Sequence, residues 1–175
     1  MMDLRYPIGP FDSNRVITPG ERVRLIDQIA EAPARLRAAV NGLNEEQLAT
    51  PYRPEGWTVR QVVHHVPDSH INSYMRFKLA VTEEQPQIRT YHEERWAELP
   101  DARNGPLEIS LNLLDCLHQR WVLFLRSLTE EDFKKSFKHP EWGLVNLDKA
   151  VAMYAWHGRH HVAHITALRE RNGWN

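Results

Sequence analysis

The stretch YAWHGRHHVAHITAL, residues 154–168, decides the fold because it combines apolar residues and histidines at helical spacing. Ile165 and Leu168 continue an apolar stripe that begins at Leu147 and passes through Val151 and Tyr154. Steps of three and four residues are typical of an amphipathic helix. We therefore predict a helix over 147–171, starting near Asn146 and ended by the Asn172-Gly173 pair.

Three further segments carry the same helical spacing, over residues 19–41, 59–82 and 107–128. Pro33 is expected to interrupt the first of them, because proline removes a helical hydrogen bond. The second segment opens with Thr58 and Gln61 at the spacing of a capping box. Strand-type alternation is nearly absent. These patterns predict an all-α, four-helix bundle formed by a single domain over residues 1–175.

Two short motifs repeat along the chain, which suggests an internal duplication. LNEEQL (43–48) followed by PEGW (54–57) is echoed by LTEEDF (128–133) followed by PEWG (140–143). Each copy joins a long helix to the next through a short helix and a turn that contains tryptophan. The remaining link, residues 85–106, is predicted to be a long irregular loop, either a lid over a site or a packed crossover.

Composition and charge exclude several classes of function. With 22 Lys and Arg scattered among 23 Asp and Glu, the chain has no basic stripe for a nucleic acid. No stretch approaches the roughly 20 apolar residues needed to span a bilayer, and the N-terminus lacks a signal core. Cys116 is the single cysteine and lies in an apolar run, which predicts a buried thiol without a disulfide. We therefore expect a cytoplasmic protein with no membrane partner.

The ten histidines are clustered, and four of them lie close together on the last predicted helix. His157 with His161, and His160 with His164, have the i, i+4 spacing that places side chains on one helix face. The apolar stripe is centred near His161, with His157 on its shoulder, His164 at its edge and His160 outside it. The first pair is therefore predicted to point into the bundle, as metal ligands or as hydrogen-bonded core histidines.

A third ligand is expected from a facing helix, where the second segment offers three histidines. Its apolar stripe places His64 nearly opposite the core, His65 at the border and His70 inside the stripe. Periodicity alone leaves the choice between His65 and His70 open.

GWTVRQVVHHVPDSH (56–70) and YAWHGRHHVAHITALRERNGW (154–174) closely resemble the two signature helices of the DinB-like superfamily, in particular its YfiT group. The resemblance extends over nearly the whole chain and implies an up-down-down-up four-helix bundle that forms a homodimer. It also implies a metal-dependent hydrolase whose ion is held by one histidine of the second helix and two of the fourth. Matched residue by residue, these are His65, His157 and His161. Pro67 departs from the pattern, since members of this group carry alanine there.

Three histidines leave a coordination position open, and this suggests catalysis rather than a closed structural site. We expect one divalent ion per subunit, zinc first, with nickel, iron or manganese as alternatives, acting on a small-molecule substrate. The first hypothesis is a hydrolase that activates water. The alternative is an S-transferase for a low-molecular-weight thiol such as bacillithiol, because no glutamate lies between His157 and His161 as in HExxH proteases. A metal-stabilised structural bundle is the non-enzymatic alternative, and catalytic residues stay unassigned.

Overall fold

The computed structural model describes residues 3–174, and within them four long helices dominate the chain. All four begin at the predicted residue and end within one residue of the predicted end. In chain order the elements are α1 Pro19–Val40, α2 Glu45–Leu48, α3 Val59–Thr82, α4 Glu93–Ala97, α5 Pro100–Asn104, α6 Leu107–Ser127, α7 Glu130–Lys134, β1 Ser136–His139, β2 Gly143–Asn146 and α8 Leu147–Asn172.

Helix α1 packs against α8 and α6, and ion pairs at the helix ends give the directions. Arg22 of α1 pairs with Asp148, so the N-terminal ends of α1 and α8 lie together and these helices are parallel. Arg37 near the end of α1 pairs with Glu108 at the start of α6, so these two are antiparallel. Helices α6 and α8 therefore run in opposite directions.

Helix α3 lies diagonally across the bundle from α1 and packs against the same two neighbours. His64 near its start bonds Ser110 near the start of α6, so α3 and α6 are parallel. His65 packs on His161 in the C-terminal half of α8, so α3 and α8 are antiparallel. The order is up-down-down-up, which confirms the predicted fold class.

The segment between α3 and α6 is a packed crossover, one of the two alternatives predicted for it, although two short helices replace part of the expected irregular loop. Because α3 and α6 are parallel neighbours, the connection must run back along the bundle, about 30 Å for helices of this length. It contains α4 and α5, and its Ile88 is buried. Gln61 of α3 donates to the carbonyl of Ala97 at 2.8 Å, which holds the crossover against the bundle.

Two prolines lie inside long helices without breaking them. The prediction that Pro33 interrupts the first helix is wrong, since α1 continues through it. Proline leaves the carbonyl four residues earlier without its helical donor. Here that carbonyl belongs to Ile29 and accepts from the His118 ring at 2.6 Å. Helix α3 likewise continues through Pro67, so His65 keeps its helical register.

The two repeated motifs form similar local structures. Asn44 caps the start of α2 and Thr129 caps the start of α7. Each forms a capping box shortly after a long helix has ended. A single antiparallel bridge between Pro51 and Thr58 follows α2. After α7 the corresponding pairing is a full hairpin, β1–β2. This hairpin was not predicted, because strands of four residues are too short to show a clear alternation.

The surroundings of Cys116 differ from those predicted. The expectation that Cys116 is buried is wrong, because the thiol lies on the exposed face of α6. Of its apolar neighbours Leu114 is fully buried, whereas Leu113 is 43% exposed, so the apolar run covers both faces of the helix.

Across residues 3–174, none of the helices is long and apolar enough to cross a membrane. A single domain over residues 1–175 stays a prediction.

A buried arginine ties three elements together at one end of the bundle. Arg22 is 6% exposed and its guanidinium donates to Asp148 of α8 at 3.0 Å and to Glu130 of α7 at 2.7 Å. The same group lies over the ring of Phe133, 4.2 Å from its centre. A buried cation is tolerated because each charge has a close partner.

We expect Arg22→Ala to lower the free energy of unfolding by about 2–3 kcal/mol, because the Asp148 carboxylate would stay partly buried without its partner. Urea denaturation followed by circular dichroism measures this. Arg35→Ala is the matched control, since Arg35 pairs with Glu31 on the exposed face of α1 and such pairs contribute less than about 1 kcal/mol. Equal losses in the two variants would contradict the expectation.

Candidate metal centre

Three histidines converge between α3 and α8. The Nε2 atom of His157 lies 3.4 Å from Nε2 of His65 and 3.2 Å from Nε2 of His161. Each residue offers one ring nitrogen, and the three nitrogens all lie within 4.8 Å of one another. His65 and His161 are buried, and His157 is partly exposed. The structure therefore brings together the three residues that the sequence analysis named as ligands.

The helix geometry explains why these three residues meet. His157 and His161 are one turn apart on α8, so both point at the antiparallel helix α3. Periodicity left His65 and His70 as alternatives, and both contact His157, on different sides of its ring. His65 approaches its Nε2 atom, whereas Nε2 of His70 lies 3.0 Å from its Nδ1 atom. His70 is therefore outside the cluster of three but bonded to it.

The spacing and chemistry of the cluster fit a divalent ion of the zinc type. A tetrahedral ion with bonds of about 2.1 Å separates its nitrogen ligands by about 3.4 Å. The two short nitrogen separations here, 3.4 and 3.2 Å, agree with that distance. Imidazole nitrogens suit zinc, nickel and iron, and they leave the choice among them open.

Burial keeps the three imidazoles neutral. Burial, with a smaller contribution from the neighbouring His164, lowers the pKa of His65 to about 4. The rings of His157 and His161 pack against other aromatic side chains, and desolvation lowers the pKa of both well below the ordinary value. A neutral imidazole has one nitrogen lone pair free for a metal. Protons therefore compete weakly for this site near neutral pH.

His160 lies in a different environment from the one predicted. Periodicity placed it outside the apolar stripe, yet it is 7% exposed. The chain before α1 covers this face of α8: the Tyr6 ring lies 5.8 Å from that of His160, and Trp156 donates from Nε1 to the Gly9 carbonyl. His160 also stacks on Trp156 at 4.3 Å. A pattern confined to one helix cannot reveal such a cover.

His64 was also predicted to face away from the core, and it too is buried. Its Nδ1 atom lies 2.7 Å from the Ser110 hydroxyl and its Nε2 atom 3.0 Å from the Gly105 carbonyl. Both partners lie where the crossover joins α6, on the side of α3 turned away from the cluster. His64 therefore connects the crossover to the bundle and is not part of the candidate site.

A cavity of about 440 Å³ opens beside His157, between the crossover, the hairpin and the bundle. Its walls combine charged, aromatic and hydroxyl groups, including Arg76, Tyr91, Glu93, Glu94, Glu141 and Trp142. The size is in the range of small-molecule sites. The cavity makes His157 reachable from solvent, although the rest of the cluster is enclosed.

Two polar residues of the crossover, neither of them assigned a role from sequence, line this cavity. The Tyr91 hydroxyl is buried and makes no hydrogen bond of ordinary geometry within residues 3–174, although Ser69 is close enough to interact with it. Burial raises its pKa above the ordinary value, so the hydroxyl keeps its proton. Partial burial raises the pKa of Glu93 and the neighbouring Glu94 raises it further, although the residue as a whole is exposed. The only indication of these two residues in the sequence was their place in a long link that contains charged and aromatic residues.

Comparison with known proteins gives consistent results. The family model of the DinB superfamily matches residues 28–165. The chain is 56% identical to a protein of Bacillus cereus strain B4264 over 174 residues, covering 99% of this chain and all of that protein. A Bacillus mycoides protein is also 56% identical, with the same coverage. The names of both relatives propose a metal-dependent hydrolase.

Two solved structures are similar to this one. YfiT from Bacillus subtilis, described as a proposed metal-dependent hydrolase with an unusual four-helix bundle topology, superimposes with a TM-score of 0.96 at 48% identity. The match covers 98% of this chain and 99% of YfiT. Another four-helix bundle protein, 20% identical with a TM-score of 0.59, matches 83% of this chain and 98% of its own, and shares the fold alone. This chain belongs to the DinB superfamily.

Proposed function

We propose that this protein is a metal-dependent hydrolase in which His65, His157 and His161 hold one divalent ion, with zinc the first choice. The observation that carries the proposal is the convergence of three neutral imidazoles next to a cavity large enough for a small substrate. The names of the similar Bacillus proteins support a metal-dependent hydrolase as well. A bound ion would polarise a carbonyl or phosphoryl oxygen and lower the pKa of water toward neutrality.

The residues of the cavity supply the remaining functions that hydrolysis needs. Glu93 accepts the proton of the attacking water, and its raised pKa brings this carboxylate closer to neutral pH, where a general base is effective. The buried Tyr91 hydroxyl donates a hydrogen bond to the oxygen on which negative charge develops. Arg76, held by its bond to the Arg89 carbonyl at 3.1 Å, binds an anionic part of the substrate.

The cavity favours hydrolysis over the other hypotheses drawn from the sequence. Thiol transfer rested on the lack of a nearby general base, and the crossover and hairpin place three carboxylates, Glu93, Glu94 and Glu141, in the cavity. A structural metal would be closed by a fourth protein ligand. The cluster among residues 3–174 holds three, with a cavity on one side. The homodimer, the small-molecule substrate and a cytoplasmic location stay predictions.

We expect untagged wild-type protein, reconstituted with zinc and desalted, to keep about one equivalent of metal. His65→Ala, His157→Ala and His161→Ala should each weaken binding at least about a hundredfold, because each removes a direct ligand. Elemental analysis and competition with a chelator measure content and affinity. His139→Ala is the control, since His139 is buried, lines the same cavity and lies outside the cluster. Metal retained by the three variants would refute the site.

The apparent metal affinity should change little between pH 7 and pH 5.5. Three histidines of ordinary pKa, about 6.5, would lose affinity roughly 500-fold over this range because protons occupy the ligands. Here burial lowers the pKa of His65 to about 4, and the other two ligands are also shifted down, so the ligands stay neutral. Chelator competition at several pH values measures the slope. A loss approaching that of ordinary histidines would contradict burial of the cluster.

Glu93→Gln should lower kcat about a hundredfold or more while leaving the metal content unchanged, because it removes the general base and no ligand. Hydrolysis of p-nitrophenyl acetate and p-nitrophenyl phosphate by the zinc-loaded protein provides the measurement. Glu84→Gln is the control, an exposed glutamate at the start of the crossover that lies outside the cavity. Equal rates for the two variants would exclude Glu93 as the base.

A further inference from the structure

A chain of hydrogen-bonded imidazoles leads away from the His157 side of the cluster. His157 Nδ1 lies 3.0 Å from His70 Nε2, and His70 Nδ1 lies 2.7 Å from His118 Nε2. His118 Nδ1 ends the chain at the Ile29 carbonyl, 2.6 Å away. These residues come from α8, α3, α6 and α1, so the chain crosses all four long helices. His70 and His118 are both fully enclosed in the core.

The carbonyl at the end of the chain determines which nitrogen of each ring carries the proton. A carbonyl can accept and never donate, so His118 must donate from Nδ1 and its Nε2 is an acceptor. His70 then donates from Nδ1 and accepts at Nε2, and His157 donates from Nδ1. The hydrogen-bond partners of these rings along the chain are neutral imidazoles and a carbonyl, and His70 and His118 are fully enclosed, so each ring carries a single proton. The lone pair of His157 is therefore at Nε2, the atom that faces His65 and His161.

The Ile29 carbonyl is available because of Pro33. In a regular helix this oxygen would accept from the N–H four residues later, which proline lacks. The proline inside α1 therefore creates an acceptor in the core, and the His118 ring satisfies it. Without that ring the carbonyl would be buried and unpaired, which is costly.

A shorter chain has the same effect on His161. Its Nδ1 lies 3.4 Å from Nδ1 of His164, whose Nε2 lies 3.1 Å from the Arg5 carbonyl. His164 must donate to that carbonyl, so its Nδ1 accepts the proton of His161 Nδ1. The lone pair of His161 is then also at Nε2. Stacking of Tyr52 on His164, with ring centres 3.9 Å apart, holds the intermediate ring in place.

We propose that His70, His118 and His164 are positioning residues that hold His157 and His161 in the tautomer with free Nε2 lone pairs, before any ion is bound. The inference rests on the proposed metal site and adds residues that touch neither ion nor substrate. The two lone pairs face each other at 3.2 Å and repel, and a cation between them removes that repulsion. The ligands therefore pay little to reorganise when an ion binds.

The decisive variant is His118→Phe, which keeps a ring in the core but removes both hydrogen bonds. His70 is then free to carry its proton on Nε2 and to donate to His157 Nδ1, which moves the His157 proton to Nε2. Nitrogen-15 NMR of the metal-free protein at pH 7.5, with the histidine rings assigned, identifies the protonated nitrogen. We expect protonated Nδ1 in the wild type and a substantial population with protonated Nε2 in the variant.

Zinc affinity is the second readout and should fall about 10- to 100-fold in His118→Phe. His118→Gln should recover most of it, because the amide oxygen can accept from His70 in place of the ring. Trp121→Phe is the matched control: Trp121 contacts both His70 and His118 edge to face, and its buried Nε1 has no hydrogen-bond partner among the described residues. This variant removes packing around the two rings but keeps their hydrogen bonds. Its zinc affinity should therefore stay within about twofold of wild type.

The outcomes separate this proposal from the proposed function. The positioning role is overturned if two results occur together in His118→Phe: the His157 proton stays on Nδ1, and the zinc affinity equals that of Trp121→Phe. The metal site stands in that case. If the wild type binds no zinc, the proposed function fails, and the NMR result still decides the tautomer. Should His118→Phe not fold by circular dichroism, His164→Phe provides the same test on His161, and an unchanged His161 tautomer there overturns the proposal.

Discussion

The antiparallel contact between α3 and α8 is the constraint on which the rest of the structure depends. Two histidines one turn apart on α8 need a third from a facing helix, and α3 provides it only if it packs directly beside α8. Since α1 is parallel to α8 and antiparallel to α6, α3 must then be parallel to α6. That arrangement requires a connection as long as the bundle. The crossover meets this requirement, and its Tyr91 and Glu93 line the same cavity as His157.

How much could be read from the sequence depends on how local each interaction is. Some features follow from neighbours on the same helix. These are the caps at Thr58 and at Asn172-Gly173, and the inward direction of His157 and His161. Burial of His64 and His160 depends on the crossover and on the chain before α1, which no single-helix pattern includes. The choice of His65 over His70 as the candidate ligand came from a family resemblance, because these two histidines lie only five residues apart on α3 and both reach His157.

Pro33 and Cys116 show two further limits. A proline ends or bends an isolated helix, but here the core supplies a donor for the carbonyl that it frees, and α1 continues. The donor, His118, is 89 residues away in sequence and could not be foreseen. For Cys116 the apolar residues on either side suggested burial, yet α6 carries leucines on both faces. Tertiary contacts decide both cases, and they override local preference.

The candidate ligands of residues 3–174 are three neutral imidazoles, with no carboxylate among them. A divalent ion bound there would keep its full charge inside a poorly solvated site. An anion at the open position would offset that charge, so each partner would increase the affinity for the other by the same factor, as thermodynamic reciprocity demands. In cells, the occupancy of such a centre would then depend on the supply of its anionic ligand as well as on the supply of the metal.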